Sequence, residues 1–204
     1  MVAAVRPRGP TPIPTPMASL VRLSAPATPR ARPPAALAGT FRVLGIDPGT
    51  VRLGYGVVEC GGGGEVRYVE CGVLTAPAKA TRQARLAEIG GALRDLFAEL
   101  RPHAVAMEEA FFGKNVQSTL ALGEARGVAI FVASEHGLSV SGYAPATVKQ
   151  SVVGHGRATK DQIGYLVRAL LSLRRVPEPD AADALAIAIC HARVAFSGRA
   201  RRRP

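Results

Sequence analysis

The pattern of hydrophobic residues changes along the chain near residue 80. Before that point, apolar residues form three short runs, over residues 41–46, 54–60 and 66–74. The first link between them contains Asp-Pro-Gly-Thr and the second contains four consecutive glycines, 61–64, which are typical of turns. The pattern therefore predicts three successive strands in an antiparallel meander.

After residue 80 the apolar spacing becomes helical, and helices alternate with two more strands. Leu86, Ile89 and Leu93, for example, recur at intervals of three and four positions. The predicted strands cover residues 103–109 and 138–143, and the predicted helices cover residues 81–100, 116–135, 146–153, 159–171 and 180–193. A meander followed by this alternation predicts an α/β fold, in which a five-stranded mixed sheet is flanked by helices.

Residues 1–40 show no apolar period and are rich in proline, alanine and arginine. Such a segment buries too little apolar surface to offset the entropy of ordering it, so we predict a disordered extension. Its arginine content also fits an organellar transit peptide, and Met17 offers an alternative start site. We expect one domain over residues 41–197, followed by a basic tail over residues 198–204.

The formal net charge of +11 is concentrated at the two ends of the chain. Nine of these charges come from arginines in residues 1–40 and 198–204. Within the domain, residues 141–175 contain six basic side chains and one acid, Asp161. Such a local excess suits a polyanion, above all nucleic acid, although a solvated helix surface would give the same count.

Two further features limit the class of protein. Cys60, Cys71 and Cys190 are odd in number and widely spaced, which indicates reduced thiols in a cytosolic setting. The chain also lacks an apolar run of about 18 residues, so we expect no association with the membrane through a spanning segment.

Two carboxylates, Asp180 and Asp183, open an apolar helix that is otherwise uncharged up to its last turn. An aspartate at this position is explained by helix capping and by the helix dipole. Residues three apart share one face of a helix, however, and two like charges there repel unless a positive group lies between them. Capping therefore explains one aspartate better than it explains both.

Asp47 and the pair Glu108 and Glu109 also stand where apolar strands end. An Asx-turn is the ordinary explanation for Asp47. Strand alternation sends the two glutamates to opposite faces, so at most one points to a shared site and the other faces solvent. Carboxylates gathered at element ends are tolerated where hard cations bind, and two Mg²⁺ ions together hydrolyse phosphodiesters. The residues alone leave open which glutamate takes part.

Five fragments of the sequence, in order, resemble signatures of the RuvC family of bacterial Holliday junction resolvases. They are LGIDPGT with GYGV, MEEAFFGKN, LGEARGVAI, VKQSVVGHGRATKDQI and DAADALAIAICHA, and they extend over residues 41–195. The resemblance implies an RNase H-like fold, a homodimer and Mg²⁺-dependent paired nicking of four-way DNA junctions. It further implies a RuvA–RuvB-like branch-migration partner and a cytoplasmic location.

The resemblance also implies roles for individual residues. Two Mg²⁺ ions per subunit, with Mn²⁺ able to substitute, would be held by Asp47, Glu108, Asp180 and Asp183, which selects Glu108 over Glu109. Lys149 and Lys160 match lysines near the family's active site, where they would hold or polarise the scissile phosphate. The implied DNA-binding residues are Phe111, Lys114, Asn115, Lys149, Arg157 and Lys160.

Several positions admit both a functional and a structural interpretation. Phe111 is expected to stack on opened bases, with core packing as the alternative. Gly123 and Gly127 form a small-residue stripe that either packs on the domain's own sheet or contacts a second subunit, as a two-fold symmetric junction favours. His191 is interpreted as structural, and His155 as a candidate phosphate contact.

Three other classes of protein share parts of the pattern. GIDPGT also resembles the first phosphate loop of actin-like ATPases, but the chain lacks a second nucleotide-binding half. An RNase H-like nuclease acting on RNA would use the same acids, and a DNA-binding scaffold without activity would be indicated by loss of one. All four acids are present, and the FFGKN loop and the long glycine-containing helix favour the resolvase.

Overall fold

The computed structural model describes residues 40–61, 65–109, 116–154 and 159–200, with only the backbone described for residues 160 and 196–200. Five strands and five helices lie within these ranges. The strands are β1 (Phe41–Asp47), β2 (Arg52–Cys60), β3 (Val66–Thr75), β4 (Ala104–Glu108) and β5 (Val140–Tyr143). The helices are α1 (Arg82–Leu100), α2 (Val116–Glu135), α3 (Pro145–Val153), α4 (Lys160–Leu170) and α5 (Pro179–Ala200).

The strands form a single mixed sheet in the order β3-β2-β1-β4-β5. β1, β2 and β3 pair antiparallel, whereas β4 and β5 continue the sheet in parallel with β1. This arrangement confirms the predicted meander followed by two strands. It also places β1 at the centre, so that the residue ending β1 lies in the middle of one edge of the sheet.

Each face of the sheet has its own hydrophobic core. One core joins Val43 and Ala106 to buried residues of α3, α4 and α5. The other core joins Leu44, Ile46 and Met107 to buried residues of α1 and α2. The alternation along β1 and β4 therefore divides their side chains between an α5 face and an α1 face.

α5 lies unusually close to the sheet because three glycines remove the side chains beneath it. A Cβ atom added at Gly45 would lie 2.1 Å from the carbonyl oxygen of Ala184, and one at Gly54 would lie 2.1 Å from the carbonyl oxygen of Asp180. A Cβ at Gly56 would lie 2.7 Å from the backbone nitrogen of Leu185. The backbone of α5 thus rests directly on β1 and β2, which fixes the height of its first turns.

The bounds of α5 and β2 differ from the sequence prediction in ways that concern the site. α5 begins at Pro179 and not at Asp180, because the fixed backbone angle of proline suits the first position of a helix. β2 begins at Arg52, two residues earlier than expected, because its pairing with β3 reaches Thr75. The helix also continues to Ala200, into the segment predicted as a basic tail.

An ion pair joins β1, β2 and α1 at the other edge of the sheet. The Arg42 guanidinium donates to Glu59 Oε1 at 3.1 Å and to the carbonyl oxygen of Leu100 at 3.0 Å. Both charged residues are buried. Because Leu100 ends α1, the pair also satisfies a carbonyl that the helix leaves without a partner of its own.

No helix in the described part of the chain is both long enough and apolar enough to cross a membrane.

Cys60, Cys71 and Cys190 are free thiols, as predicted. Burial raises the pKa of the Cys60 thiol to about 11.

Candidate active site

Asp47 and Glu108 end neighbouring parallel strands and are directed to the same face of the sheet. Asp47 lies on the same face of β1 as Val43 and Gly45, because these residues are two and four positions apart. Glu108 likewise lies on the same face of β4 as Ala106, so both carboxylates belong to the α5 face. The strand register pairs Ile46 with Met107, which makes the next residue of each strand a neighbour of the other. Both carboxylates are half-buried.

The first turn of α5 brings Asp180 and Asp183 to the same edge. Gly54 is the pairing partner of Asp47 in β2, and the backbone of Asp180 rests on Gly54. Asp183 lies one turn along the helix and is half-buried. The four predicted carboxylates therefore gather at one end of the sheet, on one face. Asp180 stands in the first turn of the helix, where the helix dipole favours a negative charge.

A cavity of about 220 Å³ opens beside two of these carboxylates. Its lining residues are Asp47, Pro48, Glu108, Glu109, Leu122, Arg126 and Pro145. Glu109 is exposed, as predicted for the second glutamate, yet it also lines this cavity. β4 ends at Glu108, and the Glu109 amide donates to the carbonyl oxygen of Tyr143 at 2.8 Å. The Arg126 guanidinium donates to the carbonyl oxygen of Glu108 on the same side.

Arg52 is a component of the site that the sequence interpretation missed. Its Nε donates to Asp180 Oδ2 at 2.7 Å, and its Nη2 donates to Glu178 Oε2 at 2.7 Å. These hydrogen bonds raise the pKa of the guanidinium. The positive group expected near the aspartates is therefore supplied by the start of β2. No local motif indicates this contact, because the two residues are 128 positions apart.

The carboxylates suit a hard divalent cation by their chemistry and their location. Carboxylate oxygens are the ligands that Mg²⁺ prefers, and the four acids share one face at one edge of a rigid sheet. Within the described ranges, however, no three His, Cys, Asp or Glu side chains are grouped closely enough to hold one ion. Asp180 directs one carboxylate oxygen to Arg52. The donor set fits Mg²⁺, and its side chains must converge for the ion to be held.

Of the predicted DNA-binding residues, the structure describes the positions of Lys149 and Lys160. Lys149 lies on α3 one helical turn after Pro145, which lines the cavity, so the two residues share a helix face. Lys160 is the first residue of α4, where Thr159 and Gln162 form a reciprocal capping box. Phe111, Lys114, Asn115, His155 and Arg157 lie outside the described residues.

Within the described part of the chain, one face of α2 is apolar and exposed. Val116 is 79% exposed, and Leu120 and Phe131 are 57% and 56% exposed. Cβ atoms added at Gly123 and Gly127 would meet nothing within 4 Å. The alternative in which these glycines pack on the domain's own sheet is therefore wrong; the core side of α2 is formed by Ala125, Ala129, Val132 and Ala133.

His191 belongs to the packing between α5 and β5. Its Nδ1 lies 2.8 Å from the Tyr143 hydroxyl, and the two rings meet edge to face. Burial lowers the pKa of His191, which favours the neutral ring. These contacts agree with the structural interpretation of this histidine.

Comparison with known proteins gives one consistent result. Residues 43–191 match the family model described as crossover junction endodeoxyribonuclease RuvC. The chain is 50% identical to the RuvC protein of Chloroflexus aggregans over 153 residues, which is 74% of this chain and 93% of that protein. It is also 50% identical to the RuvC protein of Halorhodospira halophila over 151 residues, covering 74% and 89% of the two chains.

Solved structures agree with these sequence relatives. The structure of T. thermophilus RuvC in complex with a Holliday junction substrate superposes with a TM-score of 0.73 at 37% identity, covering 78% of this chain and 96% of that one. The yeast mitochondrial Holliday junction resolvase Ydc2 matches with a TM-score of 0.58 at 16% identity, over 80% of this chain and 81% of that one. This second likeness shows the fold alone.

Proposed function

Because the chain belongs to the RuvC family of crossover junction endodeoxyribonucleases, we propose that Asp47, Glu108, Asp180 and Asp183 form its nuclease site. Family membership makes the protein a Holliday junction resolvase of recombination and repair, built on the RNase H-like fold. Its substrate is four-way junction DNA, which it cuts by paired symmetric nicks. What supports this site is that the elements bearing the four carboxylates meet at one end of the sheet, on the face that α5 covers.

Mg²⁺ would be held by these four carboxylates, two ions per subunit, with Mn²⁺ as a substitute. The chemistry that such ions would supply is activation of a water molecule and stabilisation of the leaving oxygen of the phosphodiester. The chain contributes rigidity, because Asp47 and Glu108 end adjacent strands and α5 rests on glycine backbone beneath Asp180. Carboxylates on such elements are positioned more exactly than carboxylates on loops.

Positive side chains around the cavity would hold the phosphate. Lys149, on the same face of α3 as cavity-lining Pro145, is suited to oppose charge that develops on the scissile phosphate. We assign Lys160 the same task, on the basis of its family position. Further DNA contacts are assigned to Phe111, Lys114, Asn115 and Arg157, with Phe111 stacking on bases at the opened junction.

The exposed apolar face of α2 would form the homodimer contact. Val116, Leu120, Gly123 and Gly127 succeed one another at intervals of four, three and four residues, so they follow one stripe of the helix. Glycines that face open space let a second helix approach closely. Two subunits related by a two-fold axis would place two active sites symmetrically on a two-fold symmetric junction.

The cellular setting follows from the reaction. A resolvase acts on junctions that a branch-migration motor has moved, so we assign a RuvA–RuvB-like complex as its partner. We accordingly place the protein in the cytoplasm, at the chromosome.

Cleavage of a synthetic mobile four-way junction tests the proposal. The substrates are the junction, a linear duplex and an RNA–DNA hybrid, each incubated with Mg²⁺ or with EDTA. Wild type is compared with Asp183→Asn, and junction binding is measured for both proteins by mobility shift.

The expected result is paired symmetric nicks in the junction alone, which disappear with EDTA and in Asp183→Asn while junction binding persists. Full cleavage by Asp183→Asn would remove this residue from the site. Equal cleavage in EDTA would remove the metal, and preferential cleavage of the hybrid would contradict the substrate.

A further inference from the structure

Arg52 forms hydrogen bonds to a proposed metal ligand and to a second carboxylate at the same time. The guanidinium forms 2.7 Å hydrogen bonds to Asp180 with one nitrogen and to Glu178 with another. Two anchors on a planar, rigid guanidinium fix its orientation as well as its position. Asp180 Oδ2 therefore accepts a hydrogen bond from a guanidinium whose orientation is fixed by a second partner.

The backbone around Arg52 makes this contact a built feature. Arg52 is the first residue of β2 and pairs with Thr75 of β3. Two residues later in β2, Gly54 packs directly against the backbone of Asp180. Glu178 accepts the amide of Ala182 through its carbonyl oxygen at 2.8 Å, at the start of α5. Both sides of the ion pair are thus attached to elements that pack directly on each other.

Other surface arginines pair with carboxylates that have no proposed role in catalysis. Arg67 pairs with Glu65, Arg94 with Glu135 and Arg82 with Glu124. Arg52 differs because one of its two partners belongs to the nuclease site. This difference is what gives the contact a consequence for metal binding.

We propose that Arg52 is the resident cation of the acidic site, that it competes with Mg²⁺ for Asp180, and that it thereby lowers the affinity of the site for the metal. The inference rests on the proposed function, because it takes Asp180 to be a metal ligand. In the metal-free protein Arg52 relieves the repulsion between carboxylates. To coordinate the metal, Asp180 must redirect at least one oxygen, and the positive charge of Arg52 remains close to the ion.

The sign of the effect follows from Coulomb's law. A unit positive charge a few Å from a divalent cation opposes its binding even where the surroundings are water-like. Removing that charge should tighten Mg²⁺ binding by about fivefold to tenfold. A simple structural role for Arg52, in which it holds Asp180 ready for the metal, would give the opposite sign.

The test is a Mg²⁺ titration of the full chain without DNA, followed by calorimetry and by the metal-induced rise in Tm. The variants are Arg52→Gln, which removes the charge, and Arg52→Lys, which keeps it. Arg67→Gln is the matched control, because it breaks an exposed arginine–glutamate pair elsewhere. Circular dichroism establishes that each variant is folded.

We expect tighter Mg²⁺ binding by about fivefold to tenfold in Arg52→Gln, and affinities within about twofold of wild type in Arg52→Lys and Arg67→Gln. Unchanged or weaker binding by Arg52→Gln overturns the proposal, and so does an absence of binding in both wild type and Arg52→Gln. Failure of the proposed function is seen separately, as wild type that does not nick a junction with Mg²⁺.

Discussion

Gly54 offers the sharpest test of how the fold positions the site, and the change to make is Gly54→Ala. The added Cβ would lie 2.1 Å from the carbonyl oxygen of Asp180 and 3.1 Å from the Cβ of Asp180. Contacts between such atoms are ordinarily 3.4 Å or longer. The first turn of α5 must therefore move by about 1 Å or more, since β2 is held by strands on both sides.

The size of the effect follows from this overlap. Overpacking of this kind costs about 1–3 kcal/mol of unfolding free energy. A displacement of about 1 Å in a catalytic group is sufficient for a loss of about 100-fold in rate. We therefore expect Gly54→Ala to lose both stability and junction cleavage, with the loss of cleavage persisting at temperatures where the variant is fully folded.

The assay combines urea unfolding with single-turnover cleavage of a four-way junction at saturating protein. Gly91→Ala is the matched control, because its Cβ would lie on α1 with nothing within 4 Å. We expect this control to gain about 0.5–1 kcal/mol of stability, as alanine replaces glycine within a helix, and to cleave normally. A Gly54→Ala variant as stable and active as wild type would refute the close packing of α5. A variant that loses only stability would refute the link between that packing and the site.

Two further predictions concern stability. Glu59→Gln should cost about 3 kcal/mol in urea unfolding, because it leaves the buried Arg42 charge without its counter-charge, whereas Glu65→Gln in an exposed pair should leave the midpoint unchanged; equal effects would contradict the importance of burial. Burial lowers the pKa of His191 in the folded state. Below about pH 6.5 the unfolded chain therefore binds a proton at His191 that the folded protein does not bind, which favours unfolding. Above that pH His191 is neutral in both states, and it adds no pH dependence to the free energy of unfolding. Stability should therefore fall from about pH 7 to about pH 5, and fall less in His191→Gln; the same slope in both proteins would contradict this assignment.

Most elements of the fold could be predicted from the hydrophobic pattern, because that pattern is local. Short apolar runs bounded by turn residues predicted the strands, and the three-to-four spacing predicted the helices. Bounds differed where backbone chemistry or pairing decided them, as at Pro179, which starts α5, and at Arg52, which starts β2. β4 joins the sheet parallel to β1, and β5 joins it parallel to β4. These pairings connect distant parts of the chain, so a local pattern predicts them only through the fold class.

The proposed site rests on residue type and on resemblance, while the way in which the fold positions its residues required coordinates. The choice of Glu108 over Glu109 came from the resemblance, and the register of β1 with β4 supplies a physical reason for that choice. The glycines beneath α5 had a visible signal, since Gly54 and Gly56 are two apart and share one face of β2. The Arg52–Asp180 contact had no such signal, because it joins residues 128 positions apart.

The most direct test of the central claim is junction cleavage by Glu108→Gln and Glu109→Gln, measured side by side with junction binding. The two glutamates are adjacent and line the same cavity, but only Glu108 ends β4 beside Asp47 on the α5 face. We expect Glu108→Gln to lose cleavage by about 100-fold or more and to keep junction binding, while Glu109→Gln cleaves within a few-fold of wild type. Retained cleavage in Glu108→Gln, or an equal loss in both variants, would contradict the proposed active site.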